Sequence, residues 1–393
     1  MDIVIVSQYL RDIENFEGNN SRFLYLANML KKAGNEVEII TSDFNHAKKK
    51  HFDGVGNIEN ITITVCHEVG YPKNISLKRF RSHKELAGNI QKYLKTRKAP
   101  DVLYVAVPSL DVANVCANYC KKNKTRFIVD VQDLWPEAFK MVVNIPVLSD
   151  IGFYPMKKKA DRVYSSADEI VSVSKTYTKR VLSVNNKCKV GHSVFLGTEL
   201  ETFDENVKNH FFEKDVHNFV IGYCGTLGAS YDITCVIDAL ALLESHNYVF
   251  LVMGDGPRKE EFEAYAKNKN VNCVFTGRLN YPEMCGRLVT CDIVVNPITH
   301  GAAQSIINKH ADYAASGLPV INTQECLEYR SLVEDYNMGF NCNNSDSEDM
   351  AKKIQLLMDD SGLRKKMGNN SRKCAEERFD RRNSYQEIVN VVK

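Results

Sequence analysis

The chain has 393 residues, of which 44% are hydrophobic and 25% charged, so it is long enough for two or three globular domains without disulfide or metal support. No apolar run approaches the roughly 20 residues of a transmembrane helix, and no basic stretch precedes a long apolar run, so we expect neither a membrane span nor a signal peptide. The net charge of +2 is uneven, with 30 basic against 22 acidic residues over 1–203 and 21 against 27 over 204–393, which favours an anionic partner for the first half.

Short β-branched runs alternate with helical stretches along the first half. Strands are predicted at 2–6, 36–41, 101–105, 126–131 and 169–173. The first helix carries apolar residues at 3.6 spacing and ends at a glycine; they are Phe23, Leu26, Ala27 and Leu30, followed by Gly34. This alternation predicts a parallel sheet that is covered by helices on both faces.

The same alternation restarts in the second half, after a polar stretch at 197–214 that we interpret as an interdomain connection. Further strands are predicted at 218–223, 248–253, 272–275, 292–296 and 319–322. Two doubly wound sheets bind ligands outside the carboxyl ends of their strands, so a cleft where those ends face each other is the expected site.

Cysteines and basic clusters exclude some functions. The twelve cysteines include no CxxC pair, which argues against a zinc site or a disulfide framework and favours reduced thiols in a cytosol. Basic clusters at 48–50, 73–84 and 157–159 are typical of solvated faces or of attraction to an anionic surface, and they carry few interleaved aromatics, so we expect no nucleic acid. A nicotinamide fingerprint and a Walker loop are both absent.

Two motifs in the first half are candidates for ligand binding. FEGNNSR at 16–22 sets a glycine just before a helix, where the backbone can approach a sugar or phosphate, although a plain loop fits equally well. DVQDLWPE at 130–137 ends a strand, and its Asp133 would bind an acceptor hydroxyl, orient the sugar or simply cap the next helix. Trp135, the one tryptophan, would also fit simple packing.

Two further motifs lie in the second half. GYCGTLG at 222–228 joins a strand to a helix, which suits a diphosphate at a helix N-terminus, although a turn without a ligand is the alternative. NKHADYAASGLPVI at 308–321 contains Asp312, and Gln304 stands eight residues earlier, so both would share a face of a continuous helix. Lys309 is the first candidate for a pyrophosphate contact, with a solvated helix position as the alternative.

In this order the four motifs, supported by GDGP at 254–257 and FTGRL at 275–279, resemble family 4 glycosyltransferases of the GT-B fold. These are retaining enzymes of bacterial capsule and O-antigen assembly. The resemblance implies an α/β fold of two Rossmann-like domains, with 1–203 binding the acceptor, 204–375 binding the donor and 376–393 forming a helix that crosses back. Three departures stand out: Asn19 replaces a second glycine, Ala229-Ser230-Tyr231-Asp232 replaces an Arg and Lys clamp, and Gln304 replaces a glutamate.

The resemblance also implies roles for particular residues. The catalytic candidates are Asp133, Lys309 and Gln304. The donor-binding candidates are Gly225, Thr226, Leu227, Gly228, Gly254, Arg278, Leu279, Asn308 and Asp312. The acceptor-binding candidates are Gly18, Asn19, Asn20 and Arg22. No metal or other cofactor is implied.

The expected activity is transfer of a hexosyl or N-acetylhexosaminyl group from a nucleoside diphosphate sugar to a lipid-linked saccharide, in the cytoplasm at the inner face of a membrane. The expected partners are the donor, the acceptor and an anionic membrane surface, with a partner protein or a homodimer left open. Two alternatives remain: a catalytically weak nucleotide-sugar-binding subunit that supports a partner transferase, and a nucleotide-sugar epimerase of the same architecture.

Overall fold

The computed structural model describes residues 1–10, 13–14, 21–56, 58, 61–74, 76–140, 148–245, 247–302 and 306–393. It divides into two compact units. The first domain consists of Met1–Phe195 with Tyr385–Lys393, and the second domain is Leu196–Ser384.

The first domain contains a parallel sheet of seven strands within the described residues, in the order β5-β2-β1-β6-β7-β8-β9. A separate antiparallel hairpin pairs β3 with β4. The strands are β1 (Asp2–Val6), β2 (Glu36–Ser42), β3 (Phe44–Asn45), β4 (Lys50–His51), β5 (Thr62–Cys66), β6 (Val102–Val107), β7 (Arg126–Val131), β8 (Glu169–Ser172) and β9 (His192–Ser193).

Helices pack against both faces of this sheet, as expected when every neighbouring strand is parallel. They are α1 (Arg22–Lys32), α2 (Leu77–Thr96), α3 (Leu110–Asn123), α4 (Glu137–Lys140), α5 (Leu148–Ser166) and α6 (Lys175–Leu182). The predicted apolar face of α1 is confirmed, because Leu26, Ala27 and Leu30 are fully buried. The helix is followed by Gly34, which has a φ of 84° that a side chain would disfavour.

The second domain has the same architecture, with a sheet of six parallel strands in the described residues, in the order β12-β11-β10-β13-β14-β15. The strands are β10 (Phe219–Cys224), β11 (Tyr248–Met253), β12 (Cys273–Phe275), β13 (Ile293–Asn296), β14 (Val320–Asn322) and β15 (Gly339–Asn341). The helices are α7 (Leu200–Asn209), α8 (Ile233–Ala241), α9 (Lys259–Asn268), α10 (Tyr281–Leu288), α11 (Asn308–Ala315), α12 (Leu327–Asp335), α13 (Ser347–Asp359) and α14 (Ser361–Cys374), and a π-helical turn (Ala375–Phe379) precedes α15 (Arg381–Val392).

The junction after the first sheet differs from the sequence interpretation. The stretch 197–214 was expected to be a connection, but it contains α7, whose Leu200 and Phe203 are buried. Further along the chain, α15 brings the last nine residues into the first domain, where Tyr385, Ile388 and Val392 are fully buried.

Two other expectations have structural outcomes. The structure describes all twelve cysteines, and each of them is a free thiol. Within the described part of the chain, the helices are too short or too polar to cross a bilayer.

Candidate functional site

The glycines predicted to bind the donor lie at the carboxyl ends of β10 and β11. These strands pair in register from Phe219 with Tyr248 to Cys224 with Met253, so the turns that follow them are neighbours. A Cβ on Gly254 would stand 1.9 Å from the carbonyl oxygen of Gly225. The close approach of the two turns therefore requires glycine at position 254.

Lys309 extends from α11 toward the turn after β10. Its Nζ lies 4.2 Å from the ring centroid of Tyr223 and 4.1 Å from that of Tyr231, and a Cβ on Gly225 would be 3.0 Å from it. The residue is only 8% exposed, and Nζ has no hydrogen-bond partner among the described residues. The sequence alternative of a solvated helix residue is therefore wrong.

The surroundings of this amine determine its charge. Burial lowers the pKa of Lys309 to about 7, and the nearby Cys224 acts in the opposite direction. A buried ammonium without a partner is unfavourable, and an anion placed beside it would restore the charged form. Lys309 beside the turn after β10 is therefore a buried amine whose charged form a bound anion would stabilise.

The helix that follows the turn begins later than the sequence suggested. The α8 helix begins five residues after Gly228, and its N-terminus is capped by the Asp232 side chain, which accepts a hydrogen bond from the Cys235 amide at 3.0 Å. The amides of Gly225 and Leu227 donate to the carbonyls of Met253 and Asp255. Diphosphate binding at residues 225–228 stays a prediction, and Lys309 is the basic side chain that the structure places beside this turn.

Asp312 lies one turn along α11 from Lys309 and is 7% exposed. Its carboxylate accepts a hydrogen bond from the Tyr281 hydroxyl at 2.9 Å, and that hydroxyl is also 2.9 Å from Thr198 Oγ1. Burial raises the pKa of Asp312 to about 6, against the effect of the Tyr281 and Thr198 hydrogen bonds. A ribose contact at Asp312 stays a prediction, and it would share the carboxylate with Tyr281.

The remaining donor-binding candidates are spread over several elements of the second domain. Arg278 and Leu279 follow β12, which is two strands from β10, or about 10 Å across the sheet, and Arg278 is exposed. Asn308 is exposed at the first position of α11. Because α11 begins there, the continuous helix assumed for Gln304 and Asp312 is wrong; Gln304 itself lies outside the described residues.

An amide ladder at the ends of β13, β14 and β15 was missed by sequence reasoning. Asn296, Asn322 and Asn341 are in register, and their side chains are linked by hydrogen bonds of 2.8 Å from Asn296 to Asn322 and from Asn322 to Asn341. The Asn296 amide also contacts the His310 ring at 3.1 Å, and that ring stacks on Tyr329 with centroids 3.5 Å apart. These contacts fix the start of α11, next to Lys309. The sequence signal that could have indicated this ladder is an asparagine at the end of each of three apolar runs.

A cavity of about 530 Å³ lies in the first domain at the carboxyl ends of its strands. Asp133 and Trp135 line it together with Tyr9, Phe139 and Arg79. Its wall includes aromatic faces that suit a sugar ring and polar groups that suit hydroxyls. Residues 44–47 form another part of the lining.

The Asp133 side chain is fixed by a hydrogen bond from a nearby side chain, and it does not cap a helix. It accepts a hydrogen bond from the Trp135 indole at 3.2 Å, whereas α4 begins only at Glu137. Burial raises the pKa of Asp133 to about 6, although the Trp135 hydrogen bond and the Arg79 charge lower it. A buried carboxylate in a cavity with such a pKa is a reasonable proton acceptor near neutral pH.

Arg79 supports this wall of the cavity from α2. Its guanidinium stacks 4.7 Å from the Trp135 ring centroid and donates to the Tyr9 hydroxyl at 3.0 Å. The His83 ring stacks on Trp135, with centroids 5.7 Å apart and planes at 13°. Sequence reasoning noted Arg79 only as part of a basic cluster, because its partners are distant in sequence.

The predicted acceptor residues of the first motif have different outcomes. Arg22 is 5% exposed, pairs with Asp130 at 2.8 Å and donates to the Phe195 carbonyl and the Tyr385 hydroxyl at 3.0 and 3.1 Å. These contacts assign Arg22 a structural role in place of the acceptor contact that the sequence predicted. The other three candidates, Gly18, Asn19 and Asn20, lie outside the described residues.

Comparisons with known proteins agree with these features. Residues 204–374 match the family model "Glycosyl transferases group 1". The chain is 24% identical over 377 residues to the capsular polysaccharide biosynthesis glycosyltransferase CapM of Staphylococcus aureus, covering 92% of this chain and 90% of CapM.

A second relative is an α-1,4-N-acetyl-D-galactosaminyltransferase of Campylobacter jejuni that acts on a diphosphoundecaprenol-linked saccharide. It is 24% identical over 317 residues, covering 76% of this chain and 79% of the relative. Among solved structures, Anabaena Alr3699/HepE in complex with UDP is similar with a TM-score of 0.72 and 15% identity, covering 100% of this chain and 99% of the other.

These likenesses confirm the GT-B fold that the sequence predicted, with two parallel-sheet α/β domains. The second domain carries the group 1 glycosyl transferase match, and the relatives work in capsule and lipid-linked oligosaccharide synthesis. Together they support a glycosyltransferase of GT-B fold.

Proposed function

We propose that this protein transfers a sugar from a nucleoside diphosphate sugar to a lipid-linked saccharide during surface polysaccharide synthesis, with retention of anomeric configuration. The observation that carries the proposal is the buried amine of Lys309, which has no hydrogen-bond partner in the described residues and lies beside a turn where Gly254 must be glycine. It is located within the segment that matches the glycosyltransferase model. A diphosphate is the anion that this class of donor would supply.

The chemistry of the leaving group explains why such an amine would matter. Negative charge grows on the diphosphate as the glycosidic bond breaks, so a positive group fixed in a water-poor site lowers the barrier. Lys309 takes up this task without the Arg and Lys clamp of the resembling enzymes, because Tyr231 occupies part of that stretch and lies against the amine. We assign no metal or other cofactor to this step.

The acceptor would bind in the first-domain cavity. The aromatic side chains on its wall offer faces for a sugar ring, and Asp133, which lines the same cavity, would accept a hydrogen bond from an acceptor hydroxyl. Its pKa of about 6 leaves it ionised at neutral pH and able to receive a proton as that hydroxyl attacks. The lipid-linked nature of the acceptor is supported by the Campylobacter relative, which acts on a diphosphoundecaprenol-linked saccharide.

The start of α2 supports attachment to an anionic membrane surface. Leu77 is 87% exposed there, and Lys73, Lys78 and Arg81 around it are exposed as well. An apolar residue surrounded by basic ones suits the boundary between acyl chains and anionic head groups. Binding to vesicles of anionic lipid should weaken with salt, and equal binding to neutral vesicles would refute this attachment.

Nucleotide release by the purified chain tests the proposal. UDP- and GDP-sugars would be offered with a synthetic polyprenyl diphosphate saccharide, and a matching donor should give nucleotide only when the acceptor is present. Retention would appear as the same anomeric configuration in donor and product by NMR. Lys309→Arg, which keeps a charge, and Lys309→Met, which does not, form a matched pair.

The two alternatives give different results in the same assay. Donor binding without release across the acceptor panel would indicate a catalytically weak subunit. Conversion of the donor alone into a second nucleotide sugar would indicate an epimerase.

A further inference from the structure

Three side chains with metal-binding chemistry meet at one edge of the first domain. Ser42 ends β2 and lies in register with Cys66 at the end of β5, so the next residues, Asp43 and His67, emerge side by side. The β3–β4 hairpin then folds the chain back and places His51 opposite Phe44. Sequence reasoning could not foresee this, because it did not identify β5 or the hairpin.

The three side chains are close enough to share one ion. Their ligand atoms all lie within 4.8 Å of one another. The Asp43 carboxylate is 2.6 Å from His67 Nδ1 and 3.8 Å from His51 Nε2, and the two imidazole rings stack with centroids 5.4 Å apart. The side chains are 25%, 41% and 58% exposed for Asp43, His51 and His67, so an ion from solution can reach them.

We propose that Asp43, His51 and His67 bind a divalent transition metal of the zinc class. Two imidazoles and one carboxylate are the ligand set that zinc accepts, with water in the fourth position. Ligands about 2.1 Å from a tetrahedral ion are roughly 3.4 Å apart, which lies between the two Asp43 contacts. Small side-chain movements would therefore complete the site.

Binding requires a defined rearrangement of protons. His67 Nδ1 becomes a ligand, so the neutral ring moves its proton from Nδ1 to Nε2, whereas the protonated ring releases its Nδ1 proton to solvent. His51 Nε2 lies 2.7 Å from the Glu68 carbonyl, so its proton moves to Nδ1 and this hydrogen bond is replaced by the metal bond. Metal affinity should consequently fall as the pH is lowered.

The role of this metal would be structural. It joins the end of the β3–β4 hairpin to the loop after β5, and residues 44–47 of the same segment line the cavity that holds Asp133. An ion at this position would fix one wall of that cavity without touching the reacting atoms. The inference does not depend on the proposed glycosyl transfer.

Metal titration of the full chain tests the inference. The tag-free protein would be stripped with EDTA and titrated with Zn²⁺ by calorimetry at pH 8, with Co²⁺ as an optical probe of tetrahedral geometry. We expect saturable 1:1 binding, a rise in melting temperature, and an affinity lower by about tenfold or more in His67→Gln and in Asp43→Asn.

A second surface histidine serves as a control, because it shows whether Zn²⁺ binds specifically at Asp43, His51 and His67 or binds any exposed imidazole. His300 pairs with Glu325 at 2.8 Å, also at the surface, but has no second histidine in its described contacts. His300→Gln should bind Zn²⁺ like the unmodified protein. The inference is overturned if the unmodified chain shows no 1:1 binding, or if His67→Gln and His300→Gln bind equally well while circular dichroism shows both folded.

Discussion

Replacing Lys309 with methionine removes a buried amine and keeps an unbranched side chain of similar length. Burial holds the pKa of Lys309 at about 7 instead of the usual 10.5. Because one pKa unit corresponds to about 1.4 kcal/mol, and the folded-state group is half protonated at pH 7, this group lowers the free energy of unfolding by about 4 kcal/mol at that pH. Lys309→Met should therefore raise the free energy of unfolding by up to that amount.

The pH dependence of this gain follows from the direction of the shift. The folded-state pKa is depressed, so the unfolded chain binds more protons between pH 7 and 10.5, and the stability of the unmodified protein rises across that range. The advantage of methionine is complete below pH 7 and should shrink by about 1.4 kcal/mol per pH unit between pH 7 and 10.5. The advantage of methionine should disappear above about pH 10.5, where Lys309 is deprotonated in the unfolded chain as well.

Urea unfolding at pH 7, 8 and 9 would measure the effect, with hydrogen exchange reporting the second domain separately. Lys352→Met, at an exposed position of α13, is the matched control and should change little. Calorimetry with the donor should show that Lys309→Met binds it far more weakly despite being more stable. Destabilisation by Lys309→Met, or a gain that does not vary with pH, would refute the reasoning.

Three further predictions test other parts of the molecule. Gly254→Ala places a methyl group 1.9 Å from the Gly225 carbonyl and should weaken donor binding measured by calorimetry, whereas Gly88→Ala in α2, with nothing within 4 Å of the new carbon, should raise the melting temperature slightly. Asp133→Asn should abolish the rise of kcat with pH through about 6, and an unchanged pH profile would show that this carboxyl is not the proton acceptor. Asp130→Asn leaves the buried Arg22 guanidinium unpaired and should lower the free energy of unfolding by about 3–5 kcal/mol in urea titrations; a change below 1 kcal/mol would contradict the structural role of this pair.

The strands of the two parallel sheets that the sequence missed all lie at sheet edges. β5 and β9 flank the first sheet, and β15 flanks the second; the fourth edge strand, β12, was predicted at 272–275. Interior parallel strands are buried on both faces and give continuous apolar runs, whereas β5 has half-exposed residues and β9 has only two residues. Alternation of apolar runs therefore predicted the fold class and every interior strand, but only one of the four sheet edges.

The candidate site was predictable only where residues close in sequence act together. Lys309 and Asp312 share one helix, and Gly225 follows its strand directly, so the motifs identified them. Arg79 and Trp135 are distant in sequence and meet only through the tertiary fold, and the asparagine ladder depends on strand register. No local pattern encodes such contacts.

A crystal structure of the full chain with the nucleotide sugar that shifts its melting temperature most would show whether Lys309 holds the donor. We expect the diphosphate beside the turn after β10, within hydrogen-bond distance of Lys309 Nζ. A diphosphate bound elsewhere, with Lys309 Nζ still buried and without a hydrogen bond, would refute the role that we propose for this residue.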